Sequence, residues 1–186
     1  MTFTSVGYAV FLCCAALGYY LAPKRAQNSV LLFASIVFYL LNLPSDGALW
    51  QRFLPLLVLC ASVCFSFCMA KSIEKSEGKQ RRALTAVAVI FCVGVLAIFK
   101  YYNYFVPTVL GLTSFTKLAL PLGISFYTFA TISYLVDVSR GDMPAEKSFV
   151  NYAVFVSFFG TIMSGPICRA QKLLPQLAVP RRFEEQ

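Results

Sequence analysis

General acid–base work near neutral pH calls first for an imidazole, and this chain of 186 residues contains no histidine. That removes Ser-His-Asp and Cys-His arrangements, and no glycine-rich phosphate loop is present either, so no catalytic residue is assigned. Seven cysteines, at 13, 14, 60, 64, 68, 92 and 168, lie almost entirely within apolar runs. Without a Cys-x-x-Cys or an imidazole they offer zinc no clustered ligands, so no metal site and no cofactor is expected. Cys60, Cys64 and Cys68 share one helix face by their four-residue spacing and read as small packing residues. The odd count inside apolar runs also argues against a disulfide framework.

What remains is a short set of polar positions in apolar surroundings. Asp137 is the acidic residue closest to an apolar core, and Arg140 follows it by three positions, which suits an ion pair along a helix end. A catalytic acid or a substrate contact is the alternative, because charges held deep in a membrane tend to be functional. Arg169 lies three residues beyond Ser164-Gly165-Pro166, where an apolar run stops abruptly. If that break lies below the membrane surface, an arginine there costs about 3 kcal/mol or more and needs a polar cavity or an anion; otherwise it is a cytoplasmic anchor. Ser125, Tyr127 and Tyr134 are expected to satisfy one another or backbone carbonyls.

The elements that must hold these residues are membrane helices. The composition is 59% hydrophobic and 13% charged, and the mean hydropathy is +0.71. Both shares lie far from those of a soluble domain. Apolar runs are expected to span at Ser5–Ala22, Asn28–Leu43, Trp50–Ala70, Ala83–Phe99 and Leu118–Val138. Pro55 suggests a kink or a late start in the third run. Residues Val106–Thr116, with Pro107 and Gly111, are too brief to cross and read as interfacial or half-inserted. The first run is too long for a removable signal peptide and lacks its basic leader. The expected fold is all-α, one transmembrane domain over residues 1–186, with about five full spans plus one broken or re-entrant helix.

The formal net charge is +8, but the basic residues sit between apolar runs rather than in one patch interleaved with aromatics, which argues against nucleic acid. They mark topology instead. KSIEKSEGKQRR, residues 71–82, reads as a loop with five basic side chains. With Lys24-Arg25 it should face the cytoplasm, leaving the N-terminus outside. KYYNYF, residues 100–105, reads as an outer interfacial anchor. The run from Phe149 to Gly165 then enters from the cytoplasm and is followed by Arg169, Lys172, Arg181 and Arg182. A full crossing would put these cations outside. A helix that turns back at Ser164, Gly165 and Pro166 keeps them inside, and its break should line a polar funnel.

Three segments carry a resemblance: KYYNYF, then LPLGISFYTFATISYLVDVSRG, then AEKSFVNYAVFVSFFGTIMSGPICRAQKLLPQL. In that order and spacing, from about Lys100 to Leu177, they resemble the membrane-bound O-acyltransferase family in its bacterial polysaccharide-modifying branch. Residues 1–99 match only in hydropathy. Gly160 stands where that branch usually has a proline. The resemblance implies a helical bundle around a tunnel. An acyl donor, acetyl-CoA or an acyl carrier protein, would approach from the cytoplasm. An exported polysaccharide, or a partner transferase, would receive the acyl group outside. It places Gly165, Pro166 and Arg169 at the wall of the cytoplasmic funnel, and the family's catalytic histidine beyond the reach of this sequence. The chain then reads as an N-terminal portion of a bacterial inner-membrane enzyme. A catalytically silent scaffold is the alternative, and a transporter is disfavoured because the spans carry almost no charge and only one strong break.

Overall fold

The computed structural model describes residues 6–24, 26–43, 49–109, 111, 118–162 and 168–179. Among these residues the fold is all-helical. In chain order the helices are α1 (Val6–Leu21), α2 (Gln27–Leu41), α3 (Leu49–Lys75), α4 (Gly78–Val109), α5 (Ile124–Arg140), α6 (Phe149–Ser157), α7 (Phe159–Ile162) and α8 (Ala170–Ala178). Helices α3 and α4, with 27 and 32 residues, are long and apolar enough to cross a membrane; α1, α2 and Phe149–Ile162 are apolar but shorter. At 1.5 Å per residue the two long helices reach about 40 and 48 Å, more than the ~30 Å hydrocarbon layer.

Several boundaries differ from the expected ones. Residues 71–82 are not a loop: α3 runs to Lys75, α4 starts at Gly78, and only Ser76 and Glu77 separate them. Lys, Glu, Gln and Arg are good helix formers, so the helices persist past the apolar stretch. Ala70 and Ile73 are wholly buried, and Gly78 takes the left-handed φ of 53° that reverses the chain. Nor do residues from Val106 onward start a separate piece, because α4 continues through Lys100 and Pro107 to Val109. The return from α4 is clamped by Asn103, whose side chain donates to the Leu118 carbonyl (2.7 Å) and accepts from the Leu118 N–H (2.9 Å). Helix α3 has no late start, since Pro55 sits buried inside it. Its carbonyl accepts from Tyr39 Oη.

Helix α5 begins at Ile124 rather than Leu118, after Pro121 and a left-handed Gly123. A Cβ at Gly123 would overlap the Ile162 carbonyl oxygen, so only glycine lets α5 start against the end of α7. The run from Phe149 is interrupted earlier than Ser164: at Phe158, ψ swings to 119° and α6 ends. The Phe158 carbonyl then accepts from the N–H groups of Thr161 and Ile162 and opens α7. Ser157 helps the stop by turning its hydroxyl back onto the Ala153 carbonyl (2.7 Å). The Phe158 ring folds over the bare Cα of Gly160, space that a side chain there would take.

The helices are tied together at two ends. At one end Tyr39 bridges the Pro55 and Leu122 carbonyls, while Phe38 stacks with Tyr8, Phe11 and Phe159. At the other end Asn28, at the start of α2, donates both to Asn151 Oδ1 at the start of α6 (2.8 Å) and to the Leu177 carbonyl at the end of α8 (2.7 Å). The chain therefore travels out along α6 and α7 and back along α8. Glu74 of α3 accepts from the Ala145 N–H, and Tyr134 of α5 from the Glu146 N–H, at the same end.

Candidate functional site

That second end concentrates the cations. Lys24, Lys71, Lys75, Lys79, Arg81, Arg82, Arg140 and Lys147 lie on helix ends or turns there, against Arg52 and Lys100 toward the opposite end of α3 and α4. The α3–α4 turn is held by Arg81, whose Nε donates to the Ser76 carbonyl (2.8 Å). In α6, Ser148 caps the helix by accepting from the Asn151 N–H, the local chemistry expected of a serine before an apolar run.

A buried polar seam joins three helices just inside this end. Tyr152 Oη of α6 donates to Ser66 Oγ of α3 at 2.8 Å, and the Tyr134 and Tyr152 rings meet at 4.9 Å. All three residues are wholly buried. Ser66 in turn donates to the Ser62 carbonyl (2.6 Å), so the seam is satisfied without water.

Of the sequence candidates, Arg169 occupies the N-cap position of α8 with extended backbone (φ −69°, ψ 139°) and an exposed side chain that makes no capping bond. With Cys168, Lys172, Leu173 and Gln176 it lines a cavity of about 420 Å³. Cys168 also touches the space between α5, α6 and α7 beside Ala130 and Ile162, so α8 starts deep and rises toward the basic end. Ser164, Gly165 and Pro166 lie outside the described residues.

Asp137 and Arg140 occupy the last turn of α5, but the expected pair is not formed. Asp137 Oδ2 is shielded from solvent with no hydrogen-bond partner among the described residues, while Arg140 is exposed. The Asp137 carbonyl instead closes the helix end by accepting from the Asp142 N–H (3.0 Å). The structure brings Asp137 and Arg140 together with the basic end, and puts Arg169 on the returning arm.

The sequence reading did not single out Asn28, Asn151, Glu74 or Tyr152, which build the frame. Their only signal was position: each amide stands at the polar start of an apolar run, and Ser66 sits in the small-residue series Ser62, Ser66, Ala70. The expectation that Tyr127 and Tyr134 would pair with each other, with Ser125 or with carbonyls does not hold for these two: Tyr134 finds the Glu146 N–H, and Tyr127 Oη is buried with no hydrogen-bond partner among the described residues.

With this geometry in hand, the relatives are informative. The chain is 37% identical over 170 residues to the probable alginate O-acetylase AlgI of Azotobacter vinelandii, a match covering 85% of this chain and 32% of that protein. It is 36% identical over 170 residues to the Pseudomonas aeruginosa protein of the same name, covering 85% of this chain and 31% of the other. The peptidoglycan O-acetyltransferase of Helicobacter pylori is 28% identical over 207 residues, covering 89% of this chain and 36% of that one. No family model and no solved structure matches the chain. Over most of its own length the chain is thus similar to alginate and peptidoglycan O-acetylating proteins, which accords with the resemblance of its three motifs to the membrane-bound O-acyltransferase family. It spans about a third of the length of these curated relatives.

Proposed function

We propose that the chain forms part of a polysaccharide O-acetyltransferase of the bacterial inner membrane, supplying the wall along which an acyl donor enters from the cytoplasm. The observation that carries this reading is the returning α6–α7–α8 arm, which exposes Arg169 and Lys172 beside a cavity along the first turns of α8, from which the helix rises to the basic end. A guanidinium fork and an ammonium there suit the phosphates or carboxylates of a donor such as acetyl-CoA or a carrier-protein arm. The names of the relatives support acetyl transfer to a hydroxyl of an exported polysaccharide.

In this reading residues 1–186 are one transmembrane domain with about five full crossings, the N-terminus outside, and the α6–α8 arm entering and leaving on the cytoplasmic side. Lys and Arg counts set orientation, and the basic end holds most of those described. Because the sequence has no histidine, proton abstraction from the acceptor hydroxyl would fall to residues outside these 186. That same absence favours a second reading, a catalytically silent scaffold.

A chimera separates the two. The homologous segment of the Azotobacter vinelandii relative is replaced by this chain, and acetyl esters on exported alginate are measured. A donor wall restores esters, and Arg169→Ala in the chimera lowers them at least about tenfold at limiting donor, the scale of a lost charged contact. A chimera that inserts but stays inactive, or is indifferent to Arg169→Ala, contradicts the donor-wall reading.

A further inference from the structure

Helices α2, α3 and α6 leave an apolar groove between them, away from the basic arm and from Arg169. Its walls are Leu32, Ile36 and Tyr39, then Leu56, Cys60 and Cys64, then Phe149, Ala153 and Ser157. The cavity volume is about 180 Å³, and Ile36, Cys60, Cys64 and Phe149 are exposed along its rim, so it opens sideways. Two of the three lining hydroxyls are committed elsewhere, Tyr39 to the Pro55 and Leu122 carbonyls and Ser157 to the Ala153 carbonyl, while the third, Ser35 Oγ, is shielded with no partner among the described residues. From Leu56 to Cys64, and from Phe149 to Ser157, the groove runs about 12 Å along the helices.

The mouth at the basic end is not apolar. The stripe on α3 that lines the groove continues through Phe67 to Lys71. The Phe67 ring meets Phe149 edge to face at 5.3 Å, and Lys71 Nζ lies 4.1 Å from the Phe67 ring centre. A lysine whose stem lies over an aromatic ring at the end of a hydrocarbon slot presents its charge at headgroup level. The neighbouring carboxylate, Glu74, is committed to the Ala145 N–H.

We infer that this groove holds one acyl chain of an anionic phospholipid of the cytoplasmic leaflet, with the phosphate headgroup at Lys71. Charge complementarity selects that occupant. An apolar slot alone would take any lipid tail, and the cation at its mouth favours a negatively charged head over a neutral one. The inference rests on the membrane placement proposed above and not on acyl transfer.

The test uses the full chain in phosphatidylcholine vesicles doped with either phosphatidylglycerol or phosphatidylcholine bearing a photoactivatable group on one tail. Cross-links are mapped to residues by mass spectrometry. Ala153 and Ser157 should be labelled by phosphatidylglycerol about fivefold more than by phosphatidylcholine, the ratio expected of one lysine near an anionic head. Lys71→Gln should bring the two lipids level, whereas Lys79→Gln, on the exposed turn, should leave the preference intact. Cys60→Trp, at the rim, should empty the groove of both lipids while labelling of Ile90 and Ile98 on α4 continues. Equal labelling by both lipids, an equal loss with Lys79→Gln, or groove labelling that survives Cys60→Trp would overturn the inference. Absence of label on α4 would instead refute the membrane placement, and the site with it.

Discussion

Seven of the 17 residues of α5 are buried inside the protein, against three of the 32 in α4. The two helices are of near-equal average hydrophobicity, so composition does not separate them. What separates them is hydroxyls. Helix α5 buries Tyr127, Thr128, Thr131 and Tyr134, groups that hydrocarbon would leave bare, whereas α4 turns Val87, Ile90, Phe91, Val93 and Ile98 outward. The Tyr134 hydroxyl is paired with the Glu146 N–H, while Tyr127 Oη and Thr131 Oγ1 are shielded with no hydrogen-bond partner among the described residues. In a membrane, apolar surface gains little by leaving lipid for protein, and polar groups decide which helices come together. The interior is therefore built from α2, α3, α5 and α6, and α1 and α4 form an outward-facing screen, the face that meets lipid in the proposed membrane placement. Helix α1 has no buried residue, although Tyr8 and Phe11 lean on Phe38.

The largest effect should come from the junction of α5 and α7. Gly123→Val places a branched side chain at left-handed φ and against the Ile162 carbonyl, and should cost about 3 kcal/mol or more. Denaturant titration in mild detergent should show the midpoint collapse; an unchanged midpoint would mean the two helix ends do not touch. Within the interior, Ser66→Ala strands the buried Tyr152 hydroxyl and should cost about 2 kcal/mol, a loss that the further change Tyr152→Phe should partly recover. Asn28→Ala removes two hydrogen bonds but leaves groups that water can reach, so about 1 kcal/mol is expected. Its sharper signature is local: proteolysis after α8 should quicken while the α3–α4 hairpin stays protected. On the screen, Ile90→Ala should change stability by less than about 0.5 kcal/mol, because Ile90 is 70% exposed. A large loss there would erase the distinction between interior and screen.

Much of this was readable from the sequence, for reasons the same contrast explains. Helices α1 and α2 fall within two residues of their expected ends, because apolar runs closed by Pro23 and Asn42 leave little choice. The helices around residues 71–82 were missed because hydropathy reports where lipid stops and not where a helix stops; Lys and Glu continue a helix in water. The stop at Phe158 was invisible for the opposite reason. It is enforced by a ψ value and by Gly160 beneath a ring, with no proline at the site. In the candidate site, Arg169 was found by its oddity in an apolar stretch, and the structure supplies its exposure and its cavity. That Asp137 Oδ2 has no partner among the described residues was not readable, since spacing alone pointed to Arg140. The Asn28 tie spans 149 positions to Leu177, a separation no local pattern reports.

The central claim is that the basic end faces the cytoplasm and that the chain comes back to it along α8. Gln80 and Ala178 are both exposed, one on the α3–α4 hairpin and one at the end of the returning arm. Each is replaced by cysteine in a background whose seven native cysteines are changed to serine or alanine. A membrane-impermeant maleimide is then offered to intact cells and to inverted membrane vesicles. The account predicts that both positions react in inverted vesicles and neither reacts in intact cells. Reaction of Ala178→Cys from outside intact cells, with Gln80→Cys silent there, would show that the chain crosses fully after α6 and would contradict the returning arm and the donor-facing place of Arg169.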